Sequence, residues 1–194
     1  EQEKPKKQES RPAGHNDYSQ YFGIFTQVSK AIHAGETTAE VLEQIVTHIT
    51  EIMDAKGCIF WIVDTGRKTI ETKISHGFSY RSLELIDYDA LVNIFNPSET
   101  DMVFVEDARE DERIPDLELL GKRRVGSVSG FFFNIAGSYT GILAVYFTRY
   151  KKLEQREKEL IQALGEQGAI ALQRTLTSDE KMLESLRQIV EGFT

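Results

Sequence analysis

A run of alternating acidic and basic side chains, Asp107-Ala-Arg-Glu-Asp-Glu-Arg113, is the part of this sequence best suited to binding a polar molecule. An arginine guanidinium carries several N–H donors in one plane, an arrangement that suits carboxylate and phosphate groups. Asp107, Arg109 and Arg113 could therefore hold an anionic or polar ligand. The alternative is structural: Asp107 caps a following helix, and the other charged side chains form a solvated surface that contributes little to stability.

A second set of candidate residues lies in the predicted strand 125–135, where alternation places every second side chain on one face. Ser127, Ser129, Phe131 and Phe133 share that face. Two hydroxyls beside two aromatic rings suit a small-molecule pocket, which is mostly apolar with a few polar anchors. The same face equally suits a hydrophobic core that thins toward solvent.

The histidines and the single cysteine do not form a catalytic or metal-binding set. His76 ends a predicted strand, and a lone histidine without a second ligand nearby is more often structural. Cys58 lies in an apolar strand, which does not favour the thiolate, so we expect a small buried hydrophobic residue. The sequence also has no glycine-rich phosphate loop, nucleophile elbow or paired carboxylates. We therefore predict that the protein is not an enzyme.

The composition of the chain limits which kinds of partner the protein can bind and where in the cell it is expected to be. A chain of 194 residues with 40 % hydrophobic content can bury one sizeable core. The net charge of −8 argues against binding to a nucleic-acid backbone. One cysteine excludes an internal disulfide and fits a reducing compartment, so we predict a cytoplasmic location. No apolar run approaches the roughly 20 residues that a membrane-spanning helix needs.

The periodicity of apolar residues predicts an α+β domain behind a disordered tail. Residues 1–17 are almost devoid of apolar side chains and are predicted to be disordered. Two helices follow, the second with capping-box spacing at Thr37 and Glu40. Two hairpins (57–75 and 125–148) and a short strand (102–105) then predict a largely antiparallel sheet, with helices packed against it.

A long helix is predicted from Leu153 to the end of the chain, and its last part has the heptad spacing of a coiled coil. We place the domain at 18–175 and this helical extension at 176–194. The extension and the apolar stripe of the first helix predict a homodimer interface formed by Tyr21, Phe25, Leu172, Leu176, Leu183 and Leu186.

The order of these elements resembles that of the GAF family, small sensor domains of signalling proteins. Three local sequences carry the resemblance: the charged run 107–113, the hairpin Gly137-Ser-Tyr-Thr-Gly-Ile-Leu-Ala-Val-Tyr146, and the helix opening Gln167-Gly-Ala-Ile-Ala-Leu172. The resemblance covers about residues 18–175. It implies an antiparallel sheet flanked by helices, a long C-terminal helix, and a ligand cavity with the charged run at its mouth.

Departures from the family pattern disfavour several known activities. The Asn-Lys-Phe-Asp-Glu set of cyclic-nucleotide-binding relatives has no ordered counterpart in this chain. Cys58 lies on the first strand, away from the position of a bilin-attachment cysteine, and the lone His76 disfavours haem. Methionine-sulfoxide-reducing relatives use several cysteines, and a single cysteine cannot form the required disulfide.

We therefore predict a regulatory GAF-type sensor that binds an unidentified small molecule and signals through the helical dimer contacts. The predicted pocket residues are Phe104, Asp107, Arg109, Arg113, Ser127, Ser129 and Phe131. The alternative is a ligand-free dimerisation scaffold, in which the rings of residues 131–133 fill the cavity.

Overall fold

The computed structural model describes residues 15–78, 83, 86–96, 101–114 and 125–191, with side chains described between Ser19 and Thr177. These ranges contain four helices and five strands. The helices are α1 (His15–Ala34), α2 (Thr38–Ile52), α3 (Tyr88–Phe95) and α4 (Gln155–Glu191). The strands are β1 (Gly57–Asp64), β2 (Thr69–His76), β3 (Met102–Val105), β4 (Ser127–Ala136) and β5 (Tyr139–Phe147).

The five strands form one antiparallel sheet in the order β2-β1-β5-β4-β3. The inner strand β1 is buried at all eight positions, which explains its continuous apolar sequence. The edge strand β2 is exposed or half-buried along its length, and a bulge at Glu71 places Ile70 and Ile74 on opposite sides of the sheet. Because successive side chains point to opposite sides, the sheet has two distinct apolar faces.

The first face carries Phe60, Phe131, Phe133 and Leu143 and is covered by α1, α2 and α4. Helix α2 starts at a capping box, in which the Glu40 carboxylate accepts the Thr37 backbone N–H at 2.8 Å and Thr37 Oγ1 accepts the Glu40 N–H at 3.3 Å. Its apolar residues recur at helical spacing and are buried against the sheet: Val41, Leu42, Ile45, Val46 and Ile49.

The second face carries Ile59, Trp61, Val63, Ala144 and Tyr146. Leu83, the apolar residues of α3 and those of the turn 106–114 pack against it. Helix α3 is capped by Asp87, whose carboxylate accepts the Ala90 N–H at 2.8 Å.

The predicted fold class is confirmed: an antiparallel sheet with flanking helices and a long C-terminal helix. Two local predictions differ from the structure. Helix α1 begins at His15, inside the segment 1–17 that we expected to be disordered, while residues 1–14 lie outside the described residues. Asp107 caps a single turn and not the start of a helix, since residues 107–114 form turns; the rest of the predicted loop-and-helix segment, 115–120, lies outside the described residues. No helix in the described part of the chain is apolar and long enough to cross a bilayer.

Gly165 shows how closely α4 approaches the sheet, since a Cβ atom there would overlap the Phe133 ring. Alanine at this position is expected to destabilise the protein by about 1–2 kcal/mol, because overpacking costs about 1–3 kcal/mol and improved helix propensity returns only about 1 kcal/mol. Gly23 in α1 has nothing within 4 Å of the equivalent position. Gly23→Ala should therefore stabilise the fold by about 0.5–1 kcal/mol. Urea unfolding of both variants measures the difference, and equal stabilities would contradict this packing.

Candidate functional site

The predicted pocket residues fall into two groups in the structure. Ser127, Ser129 and Phe131 lie on the first face of the sheet, against the helices, where Phe131 belongs to the hydrophobic core. Phe104 pairs with Ser129 across β3 and β4 and packs edge-on against Tyr150, with ring centroids 6.0 Å apart. The charged residues of the turn lie instead beside the second face. The structure therefore does not bring the predicted residues together in one pocket.

Ser127 makes a structural link rather than facing open space. Its Oγ atom donates a hydrogen bond to the Arg149 carbonyl oxygen at 3.1 Å and accepts one from the Lys151 backbone N–H at 3.0 Å. Ser129 is 1 % exposed. Phe131 lies at the floor of a groove of about 330 Å³ between β3, β4 and α4, whose rim is polar: Asp101, Gln155, Lys158, Glu159, Gln162 and Glu166.

The charged turn consists of two Asp-x-Arg units with the same geometry. The Asp107 carboxylate accepts the Arg109 backbone N–H at 3.0 Å and two guanidinium N–H groups at 2.9 and 3.0 Å. Asp111 binds Arg113 in the same way, at 3.0, 2.9 and 2.6 Å. These bonds lower the pKa of both aspartates and raise the pKa of both arginines. Each guanidinium is thus already paired with a carboxylate, which an anionic ligand would have to replace.

The second face contains a group of buried aromatic and polar side chains around Trp61. The indole is fully buried, and its Nε1–H makes no well-aligned hydrogen bond among the residues that the structure describes, although the Tyr146 phenol lies close enough to interact with it. Lys73 lies 5.9 Å from the centre of the indole ring and donates a hydrogen bond to the Leu83 carbonyl oxygen at 3.1 Å. We call Trp61, Lys73, Leu83, Phe95 and Tyr146 the Trp61 site.

Tyr146 supplies the second polar aromatic side chain of the Trp61 site. Burial raises the pKa of its phenol, because the phenolate is costly in an apolar environment, and a hydrogen-bonding interaction with the Trp61 indole opposes this rise. Phe78 packs edge-on against Tyr146 with centroids 5.0 Å apart, and Lys56 Nζ lies 5.0 Å from the centre of the Phe78 ring. The site therefore combines aromatic surfaces with an indole N–H and a phenol, side-chain types that also line small-molecule pockets, whereas the two grooves on the first-face side do not include these residues.

Phe95 fills the space above β4 on the second face. A Cβ atom on Gly130 would lie 2.5 Å from the Phe95 ring, so only glycine allows this contact. Phe131 and Phe133 belong to the first-face core, and Phe132 is partly buried against the second face. The aromatic cover over Gly130 therefore comes from Phe95 of α3, and Phe132 is the member of the run 131–133 that packs against the same cluster.

Four of the residues predicted for the dimer interface contact the core of their own chain. Tyr21, Phe25, Leu172 and Leu176 are partly buried against the first-face cluster. Leu183 and Leu186 lie on α4 beyond the described side chains. Phe22, by contrast, is 72 % exposed and lies beside a groove of about 570 Å³ along α1. The sequence did not single out Phe22, because it falls outside the apolar stripe of its helix.

Cys58 and His76, the remaining candidates for chemistry, lie in different environments. Cys58 is buried, and this burial raises the pKa of its thiol well above the ordinary range. His76 is exposed, with its Nδ1 atom 3.3 Å from Thr47 Oγ1. Within the described ranges, no group of three or more His, Cys, Asp or Glu residues could hold a metal ion.

Trp61, Lys73 and Tyr146 were missed by the sequence analysis. Trp61 lay inside a continuous apolar run, which indicated only a buried strand. The sequence did contain one indication of its role. A buried tryptophan or tyrosine usually has a hydrogen-bond partner, and the apolar residues next to Trp61 in the run cannot accept a hydrogen bond from its indole N–H.

No protein-family model and no curated protein matches the sequence. Solved structures do match its fold. The GAF domain of a phosphoenolpyruvate-protein phosphotransferase from Coxiella burnetii superposes with a TM-score of 0.65 at 16 % identity, over 87 % of this chain and 98 % of that one. Free methionine-R-sulfoxide reductase from Neisseria meningitidis, solved with its substrate, gives 0.58 at 14 % identity, over 84 % and 95 %.

A third match is the blue-light absorbing form of the PixJ GAF domain from Thermosynechococcus elongatus, with a TM-score of 0.53 at 14 % identity. It covers 91 % of this chain and 98 % of that one. These matches differ in sequence and in the activities that they are named for, but they share the arrangement of strands and helices. The chain has the fold of a GAF domain.

Proposed function

We propose that this protein is a regulatory sensor domain that binds a small molecule at the Trp61 site and signals through α1 and α4. The observation that carries the proposal is the buried pair of Trp61 and Tyr146, in which the indole N–H lies near the phenol but makes no well-aligned hydrogen bond in the described structure. A buried donor left unpaired costs about 1–3 kcal/mol. A ligand with a hydrogen-bond acceptor would recover that free energy, and its flat apolar part would contact the surrounding rings.

Two kinds of observation support a regulatory function. The Neisseria reductase was solved with its substrate and the Thermosynechococcus domain is named for light absorption, so other proteins with this fold interact with small molecules or light. In this chain the single cysteine is buried with a raised thiol pKa, which supports a non-enzymatic role. The proposal also retains a cytoplasmic location, because a free thiol suits a reducing compartment.

The Trp61 site and the charged turn contribute to the same apolar cluster on the second face, which gives the predicted arginines a restricted role. Ala108 and Ile114 of the turn are buried in the second-face cluster, while Arg109 is about half exposed at its margin. We propose that Arg109 contacts a polar or anionic group at the outer end of the ligand. For this contact to form, the Arg109 guanidinium must first break its hydrogen bonds to the Asp107 carboxylate.

Purified protein is expected to carry or take up a small molecule that contacts Trp61. The chain contains one tryptophan, so its fluorescence reports on this site alone. Native mass spectrometry should show an excess mass that disappears on denaturation, and the released compound should change the emission when it is added back. Trp61→Phe removes the N–H donor and should weaken binding about tenfold, and Arg109→Ala should weaken it about 10- to 100-fold.

Binding by Trp61→Phe is measured by calorimetry, because that variant lacks the fluorescent reporter. Gln173→Ala, at an exposed position of α4 on the other side of the sheet, serves as the control and should bind normally. Unchanged affinity in both Trp61→Phe and Arg109→Ala would contradict the assignment of the site.

The alternative function is a ligand-free dimerisation scaffold. One observation favours it: Phe95 and Leu83 are fully buried and already cover the second face. Under this hypothesis the purified protein shows no excess mass, and no added compound changes Trp61 emission. Under the sensor hypothesis α3 must shift when a ligand enters.

A further inference from the structure

The charged turn is joined directly to the start of β4. The Ala108 backbone N–H donates a hydrogen bond to the Gly126 carbonyl oxygen at 2.7 Å, and Ala108 is 2 % exposed. Asp107 holds this part of the turn through its bonds to Arg109. A change in the Asp107–Arg109 pair therefore acts on the backbone of Gly126.

Gly126 and Ser127 in turn hold the segment that follows β5. The Gly126 N–H donates to the Phe147 carbonyl oxygen at 2.7 Å, and a Cβ atom on Gly126 would lie 2.6 Å from the Arg149 backbone. Ser127 Oγ bonds both to Arg149 and to Lys151, as described above. We call residues 147–157 the β5–α4 junction.

Lys151 connects this junction to two helices. Its Nζ atom donates a hydrogen bond to the Met53 carbonyl oxygen at the end of α2, at 2.8 Å, and lies 3.1 Å from Glu157 Oε1. The other oxygen of Glu157 accepts the Glu154 backbone N–H at 2.8 Å, at the start of α4. The ammonium group also lies 5.2 Å from the centre of the Phe147 ring. Lys151 thus fixes the start of α4 relative to α2.

We propose that the β5–α4 junction, held by Ser127 and Lys151, couples the charged turn to helix α4. The proposal rests on the proposed function in one respect, since it takes the turn as the margin of the ligand site and α4 as the output. Coupling between separated sites requires a contiguous packed element with two arrangements. In one arrangement Lys151 bridges Met53 and Glu157; in the other, a shift of residues 126–127 has drawn the Lys151 backbone away and released that bridge.

A ligand-free double-mutant experiment tests this coupling by hydrogen–deuterium exchange. Asp107→Ala removes the acceptor that holds the turn and should change the exchange rates of the α4 amides at residues 160–164 by about 2- to 30-fold. In a Ser127→Ala background, the Asp107→Ala substitution should change these exchange rates by less than about twofold. Ser129→Ala is the matched control: it removes a buried hydroxyl from the same face of the same strand and should leave the response intact.

Circular dichroism and urea unfolding verify that each variant is folded. If Ser127→Ala does not fold, Lys151→Met takes its place, because it retains the packing of the side chain on Phe147 and removes both polar contacts. A full response in the Ser127→Ala or Lys151→Met background would overturn the proposal, as would an Asp107→Ala variant that leaves the α4 amides unchanged. The experiment contains no ligand, so its outcome is independent of the binding tests at Trp61. Loss of coupling with normal binding, or the reverse, separates the two proposals.

Discussion

Phe95→Ala is expected to lower the free energy of unfolding by about 3–5 kcal/mol, the usual cost of removing a fully buried phenylalanine ring. Phe95 is fully buried and packs directly on Gly130 of β4. Glycine has no side chain that could move into the vacated space, so we expect the cavity to persist. Urea unfolding measures the loss, and Trp61 emission should shift to longer wavelength as water reaches the second face.

Phe22→Ala is the matched control for Phe95→Ala. Phe22 is 72 % exposed on α1, so the same substitution there should change stability by no more than about 0.5 kcal/mol at concentrations where the protein is monomeric. A loss below about 1 kcal/mol for Phe95→Ala would show that α3 does not seal the second face. That outcome would also remove the observation that favours the scaffold hypothesis.

The strands could be predicted from the sequence because their pattern is local. The continuous apolar run of β1, the turn residues after it and the turn residues between β4 and β5 each determine one element, whereas the bulge at Glu71 in β2 was not predicted. The capping box at Thr37 likewise predicted the start of α2, which the structure confirms. These features depend on residues within a few positions of each other, and tertiary contacts did not override them.

The candidate site could not be predicted in the same way. Alternation along a strand shows which side chains share a face, but it does not show which helix or loop packs on that face. Ser127, Ser129 and Phe131 do share a face, but that face lies under the helices. Asp107 illustrates a second limit. A helix cap and an aspartate turn both use a side-chain oxygen that accepts a backbone N–H two or three residues later, so the sequence is compatible with either.

Trp61 illustrates a third limit. Its importance comes from the lack of a well-aligned partner for its N–H in the described structure, and this depends on the residues brought to the second face from β2, α3 and β5. No spacing within β1 contains that information.

The double variant Leu183→Asp/Leu186→Asp is expected to convert a dimer of this protein into a monomer. Leu172 and Leu176 are partly buried in their own chain, so the seam available to a partner starts farther along α4, where Leu183 and Leu186 follow at heptad spacing. Burying one leucine contributes about 1.5–3 kcal/mol, so losing two from each chain should raise the dissociation constant more than about 100-fold. Sedimentation equilibrium over a range of protein concentrations measures this constant.

The control adds the same charges beside the seam. Ser185→Asp/Gln188→Asp changes positions outside the heptad seam on the same turns of α4, so it should leave the dimer intact. If both double variants dissociate, the added negative charge is the cause, because the chain already has a net charge of −8. If the leucine variant remains dimeric, the interface lies elsewhere, and exposed Phe22 with the groove along α1 becomes the surface to test. A monomeric leucine variant that still binds the compound at Trp61 would separate ligand recognition from its output, because the Trp61 site lies on the second face and the described part of α4 covers the first.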